Sequence, residues 1–236
     1  MTETGTGSFA ELIASADTHV VFDLDQPARS LLILFGGIAG GVSMPVFEFF
    51  RLTADYPAKK AFLRDPRRAW YQLGLPRVGE TAADVRRLLE AGISRSGAER
   101  VVMAGASAGG FAALLFGAWC GVDEVLAFSP QTFIDDEQRR RYGDDRWPEQ
   151  IAHLHAAMTG RDAILDVLPV LPESIGATRF QVHVSDDDAL DLLHAERIAL
   201  RGGVDIQVHA RGGHRLVKTL RDRGLLQPLL LEALRQ

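Results

Sequence analysis

Ser107 is the residue whose surroundings first suggest chemistry. It stands in Gly105-Ala106-Ser107-Ala108-Gly109, small residues on every side, directly after the apolar run RVVMA and before FAALLFGAWC. A strand that reverses into a helix within one residue forces the turn residue into an unfavourable backbone conformation. It also crowds the positions two before and two after, so glycine is needed there. Such a turn lifts a hydroxyl clear of the sheet edge and sets it at a helix N-terminus, where backbone N–H groups stabilise developing negative charge. A phosphate-binding loop is the competing reading of a Gly-rich strand-to-helix turn. Neither of its usual spacings, G-x-G-x-x-G or G-x-x-x-x-G-K-[ST], occurs at this position.

A serine hydroxyl needs a base at neutral pH, and histidine has the suitable range. Of seven histidines, His183 and His209 lie inside strand patterns, His194 on a helical pattern, and His153 and His155 in a charged insert. His214 follows the last strand pattern on the short loop ARGGH, where a base can reach the sheet edge. The carboxylate that orients it is sought after the preceding strand, in Ser185-Asp186-Asp187-Asp188-Ala189-Leu190-Asp191. A small residue at the turn with the acid three positions later selects Asp188. Asp191, the alternative, is placed to cap the next helix, and Asp186 and Asp187 read as solvated turn residues. Two N–H groups should face the oxyanion: that of Ala108, and that of Gly37 or Ile38 in the Gly-rich loop after LLILF. Phe35, Phe111, Trp70, Tyr71 and Phe133 are candidates to line an acyl or aromatic pocket, against the competing reading that each is core.

The elements that must hold these residues alternate along the chain. Strands are expected at His19–Leu24, Leu31–Phe35, Arg100–Ala104, Glu124–Ser129, Arg179–Val184 and Val204–His209. Helices are expected at about Glu80–Ser94, from Phe111 to Cys120, Leu190–Leu200 and Leu225–Arg235, with one beginning within Met44–Leu52. Residues 64–76 carry only a weak pattern. The alternation predicts an α/β fold: one domain over residues 1–236, a mostly parallel central sheet with helices on both faces, and a small cap insertion at 130–176.

In that order, LLILFGG, GASAGG, VSDDDALD and GGH resemble the α/β-hydrolase superfamily over nearly the whole chain. The resemblance implies a serine-dependent acyl-transfer mechanism with a covalent acyl-enzyme, needing no cofactor and no metal. Phe35 stands where lipases and esterases of the HGGG type have histidine, and the chain is short for the superfamily. The expected function is a carboxylesterase, deacylase or thioesterase. An acyltransferase or peptidase on the same residues and a non-catalytic accessory protein are the alternatives.

Composition narrows the setting. The 236 residues are 47% hydrophobic and 24% charged with a formal net charge of -5, and mean hydropathy is +0.02 with a pI near 5.8. Those values suit a soluble globular domain and give no electrostatic footprint for nucleic acid. No apolar run approaches a membrane span, and the N-terminus lacks the features of a signal peptide, so a cytoplasmic protein acting on a small-molecule or acyl substrate is expected. The single cysteine, Cys120, excludes an internal disulfide framework. Oligomeric state is not readable from these features.

Overall fold

The structure is a computed structural model, and it describes residues 17–38, 49–158, 162–174 and 176–235. In chain order its strands and α-helices are β1 (Val20–Asp23), β2 (Ser30–Phe35), α1 (Phe50–Thr53), β3 (Lys59–Leu63), α2 (Ala82–Ser96), β4 (Arg100–Ala106), α3 (Ala108–Cys120), β5 (Glu124–Phe128), α4 (Asp136–Tyr142), α5 (Pro148–Ala157), β6 (Arg179–Ser185), α6 (Ala189–Ala199), β7 (Val204–His209), α7 (Leu216–Asp222) and α8 (Leu226–Arg235). The strands form one sheet in the order β1-β3-β2-β4-β5-β6-β7. All neighbours are parallel except β1, which runs antiparallel to β3.

Alternation along the central strands explains the two-sided core. Leu31, Ile33 and Phe35 of β2 join Val101 and Met103 of β4 on one face, packed against Val85 and Leu89 of α2 and Phe111–Phe116 of α3. Leu32, Leu34, Val102 and Ala104 point the other way, onto Leu216, Leu220, Leu226 and Leu230 of α7 and α8. Strands covered on both faces read as unbroken apolar runs, as β2, β4 and β5 do. Helix α3 is buried along most of its length, in keeping with its apolarity on every side.

Strand order reverses beside β2: the chain goes outward to β3 and then returns to place β4 on the other side. The carboxyl ends of β2 and β4 therefore lie side by side, with Phe35 paired opposite Gly105. Ser107 directly follows β4, and Gly37 and Ile38 follow β2.

Strand β3 was not expected. Its sequence, KKAFL, opens with two lysines, yet Lys60 is buried and donates from Nζ to the Ala54 carbonyl at 3.0 Å. The helix expected within Met44–Leu52 falls mostly on residues 39–48, outside the described residues; α1 begins only at Phe50. Between β5 and β6, over the expected insertion at 130–176, the described residues hold α4, α5, a short 3-10 turn at Leu168–Val170 and an isolated bridge between Phe133 and Asp166. No described helix is long and apolar enough to cross a membrane.

Candidate active site

Ser107 sits between β4 and α3 with φ 54° and ψ −118°, a conformation that costs on the order of 1–3 kcal/mol for a residue with a side chain. Neighbours fix it there: its N–H donates to Phe128 O at 3.0 Å, and its carbonyl accepts from the Phe111 N–H at 3.0 Å. The need for glycine is measurable. A Cβ at Gly105 would lie 2.2 Å from the Gly109 carbonyl oxygen, and one at Gly109 would lie 2.3 Å from Phe35 O and 3.0 Å from Gly36 O. The loop leaving β2 therefore runs directly against the first turn of α3. Gly109→Ala has only backbone to push against, and it should lower unfolding stability by about 1–3 kcal/mol. A denaturant titration checks this, with a shift in midpoint at unchanged slope as the expected result.

His214 Nε2 lies 2.9 Å from Ser107 Oγ, and its Nδ1 lies 2.9 and 3.0 Å from the two oxygens of Asp191. An ionised carboxylate only accepts, so Nδ1 carries the proton and Nε2 is free to receive the hydroxyl proton. Burial opposes ionisation of Asp191. The hydrogen bond from His214 and the Arg146 guanidinium together hold its carboxyl below the ordinary range.

The carboxylate facing the histidine is therefore Asp191, and the assignment of Asp188 from spacing is corrected. Asp188 is the N-cap of α6: its backbone is extended, and its Oδ1 accepts the Asp191 N–H at 3.0 Å. The two residues have exchanged the expected roles. The reason is helical geometry. Asp191, His194, Ala195 and Ile198 are the buried residues of α6, spaced three and four apart on the stripe that faces the protein.

Asp186 and Asp187 are exposed, as expected of turn residues, but they also hold the histidine loop. Asp186 accepts the Arg211 N–H at 2.8 Å, and Asp187 accepts those of Gly212 at 3.1 Å and Gly213 at 2.8 Å. The Ser185 hydroxyl and the Gly213 N–H keep the Asp187 carboxyl below its usual range.

Ala108 is the first residue of α3, where N–H groups have no partner within the helix, and Gly37 and Ile38 lie in the loop after β2. The five aromatic residues offered for a pocket are core. Phe35, Trp70, Tyr71, Phe111 and Phe133 all have zero exposure. Their polar atoms are spent inside the protein: Trp70 Nε1 donates to Gln131 Oε1 at 3.0 Å, and Tyr71 Oη lies 3.0 Å from Gly36 O and 3.1 Å from Leu63 O. The open cleft beside His214 has a volume of about 350 Å³ and is lined by Arg146, Trp147, Asp188 and Leu190.

Sequence reasoning missed Arg146. It lies between α4 and α5 in the charged run DDRW, which offers no periodicity to mark one arginine among many. His153 and His155 stay outside the site, and His155 Nε2 lies 3.0 Å from Ile134 O. His183 and His209 pair with each other at 3.0 Å, and burial pushes His183 down to about 3. Burial also pushes the Cys120 thiol up to about 12, which leaves it a poor nucleophile.

This sheet, with a serine turn after one central strand and a histidine loop after the last, is the α/β-hydrolase fold. No protein-family model and no curated protein matches the sequence. Solved structures do match in shape. A capsule O-acetyltransferase of Neisseria meningitidis serogroup A is similar at 13% identity and a TM-score of 0.66, over 90% of each chain. The fluorophosphonate-binding serine hydrolase F of Staphylococcus aureus is similar at 14% identity and 0.58, over 89% of this chain and 85% of that one. Est1E of Butyrivibrio proteoclasticus is similar at 12% identity and 0.59, over 92% and 93%.

Proposed function

We propose that the protein cleaves carboxylic esters or thioesters through Ser107, with His214 as base and Asp191 as the group that orients it. The observation that carries this reading is the unbroken line of contacts from Ser107 Oγ through His214 to Asp191, with 2.9 Å on each side of the ring. The hydroxyl attacks the acyl carbon, and its proton passes to His214 Nε2. The tetrahedral oxyanion is held by the Ala108 N–H and by that of Gly37 or Ile38. The imidazolium then protonates the leaving alcohol or thiol, and the free imidazole deprotonates the water that hydrolyses the acyl-enzyme. A panel of p-nitrophenyl esters and acyl thioesters of increasing chain length tests it. Turnover of at least one is expected, and none across the panel would overturn the reading.

Acyl transfer is the second reading, favoured by the similarity to an O-acetyltransferase and by the open cleft beside His214, where an alcohol can approach the base. Adding a polyol acceptor separates the two readings, because a transferase diverts product from free acid to acylated acceptor.

Tyr71 has a place in this scheme although it lines no pocket. Its hydroxyl bonds the Gly36 carbonyl, and a trans peptide points its carbonyl and N–H in opposite directions. Tyr71 thereby fixes the plane that carries the Gly37 N–H. Three N–H groups, of Arg67, Ala69 and Tyr71, bond the Asp65 carboxylate and hold this segment in shape. In Tyr71→Phe, kcat should fall by about tenfold, the value of one hydrogen bond. KM should change little, and steady-state kinetics on the best ester of the panel reads both.

A further inference from the structure

Arg146 reaches the site from outside the sheet and its flanking helices. One of its terminal nitrogens (Nη1) donates to Asp191 Oδ1 at 2.8 Å; Nε and Nη2 take the two oxygens of Asp144, at 2.9 and 2.8 Å. Asp144 also meets His194 Nε2 at 2.9 Å, while His194 Nδ1 accepts the Thr132 N–H at 2.9 Å. Because Nδ1 is an acceptor, the proton is on Nε2, and His194 enters the network neutral. Asp191, Asp144 and His194 have side-chain exposures of 0%, 1% and 0%, and Arg146 of 18%. One cation is thus shared between two buried carboxylates, and one of those carboxylates holds the base.

We propose that Arg146 is a positioning residue for the Asp191–His214 pair, and that Asp144 sets how strongly it acts. This rests on the functional reading above only in calling His214 the base. Without Arg146, the described donors to the Asp191 carboxylate would reduce to His214 alone at the side chain, and the buried charge would pull harder on an imidazolium. Arg146 Nη1 lies 3.5 Å from His214 Nδ1. Since Nδ1 carries a proton, this contact is a juxtaposition of charge rather than a hydrogen bond, and it opposes protonation of the ring.

Other charges also face His214. One carboxylate oxygen each of Asp188 and Asp191 and a ring nitrogen of His214 lie within 4.8 Å of one another. Asp187 bonds the loop at Gly212 and Gly213, and Arg211 and Arg215 flank it on exposed positions. The hydroxyl of Ser107 is neutral. Each of these is unchanged in the variants below, so the signs of the shifts belong to Arg146 and Asp144.

The test is the titration midpoint of the His214 imidazole, followed by NMR on ¹⁵N-histidine-labelled protein and assigned by its loss in His214→Ala. Arg146→Met should move the midpoint up, by on the order of one pH unit. Asp144→Asn, which leaves the cation less neutralised, should move it down by a smaller amount. Arg146→Lys, with charge kept, should stay near the wild type. Opposite signs cannot come from loosened packing, and Asp144→Asn keeps the side-chain shape should Arg146→Met fold poorly. Midpoints that coincide, or that move in the same direction, would overturn the proposal. A fluorophosphonate label on the same samples keeps the two claims apart. Shifts without labelling leave this proposal standing and remove the hydrolase reading, whereas labelling without shifts does the reverse.

Discussion

A Ser107→Ala variant should lose hydrolysis by a factor on the order of 10⁴ or more, with folding intact. The hydroxyl is the only atom removed that makes the bond to the acyl carbon, and no described nucleophile stands ready to replace it: Cys120 lies at the far end of α3 with its thiol pushed up to about 12. Labelling by a fluorophosphonate should disappear with the hydroxyl. Stability should hold or rise slightly, because alanine tolerates the φ of 54° no worse than serine and buries no polar group. A thermal melt alongside the activity assay separates lost chemistry from lost folding. Residual turnover within tenfold of the wild type would mean that the reaction runs elsewhere.

The second large effect distinguishes two aspartates three residues apart. Asp191→Asn should lower kcat by roughly 10³- to 10⁴-fold, since an amide facing Nδ1 favours the wrong tautomer and leaves Nε2 carrying a proton. Asp188→Ala should leave kcat within a few-fold and instead cost about 1 kcal/mol of stability, the usual penalty for a lost N-cap. Both follow from the contacts: Asp191 meets the imidazole, whereas Asp188 accepts a helix N–H. The reverse pattern would show that His214 turns to Asp188 in solution. The pH dependence of stability has a definite sign as well. Asp191 has its carboxyl held below the ordinary range, so its stabilising contribution is present above the unfolded-state value of roughly 4 and is lost as pH falls through the lower folded value. Asp191→Asn should therefore flatten acid unfolding over that range, as followed by circular dichroism.

Much of this was legible in the residues themselves. The turn at Ser107 is readable because its requirement is steric: only small residues fit where a Cβ at position 105 or 109 would meet backbone within 2.3 Å. The sheet is readable where strands are buried on both faces and apolar throughout. Strand β3 was hidden because its lysines extend their long chains to polar partners while their backbone pairs in the sheet. The acid was misread because a spacing rule took precedence over helical periodicity. Asp191 lies on the same stripe as His194, Ala195 and Ile198, and a carboxylate on a buried stripe is costly unless it has partners. That cost was the available signal. Arg146 left none, since its role depends on where an irregular connection between α4 and α5 places it.

The turn between β6 and α6 has a mechanical consequence. It begins the helix that carries Asp191, and through Asp186 and Asp187 it grips the backbone of the His214 loop. Carboxylate and imidazole thus ride on one carriage, while the serine stands on another, bolted into the middle of the sheet. The spacing of carboxylate and imidazole is thus set within one turn and the loop it grips, and their spacing from the hydroxyl by the register of β4, β5 and β6.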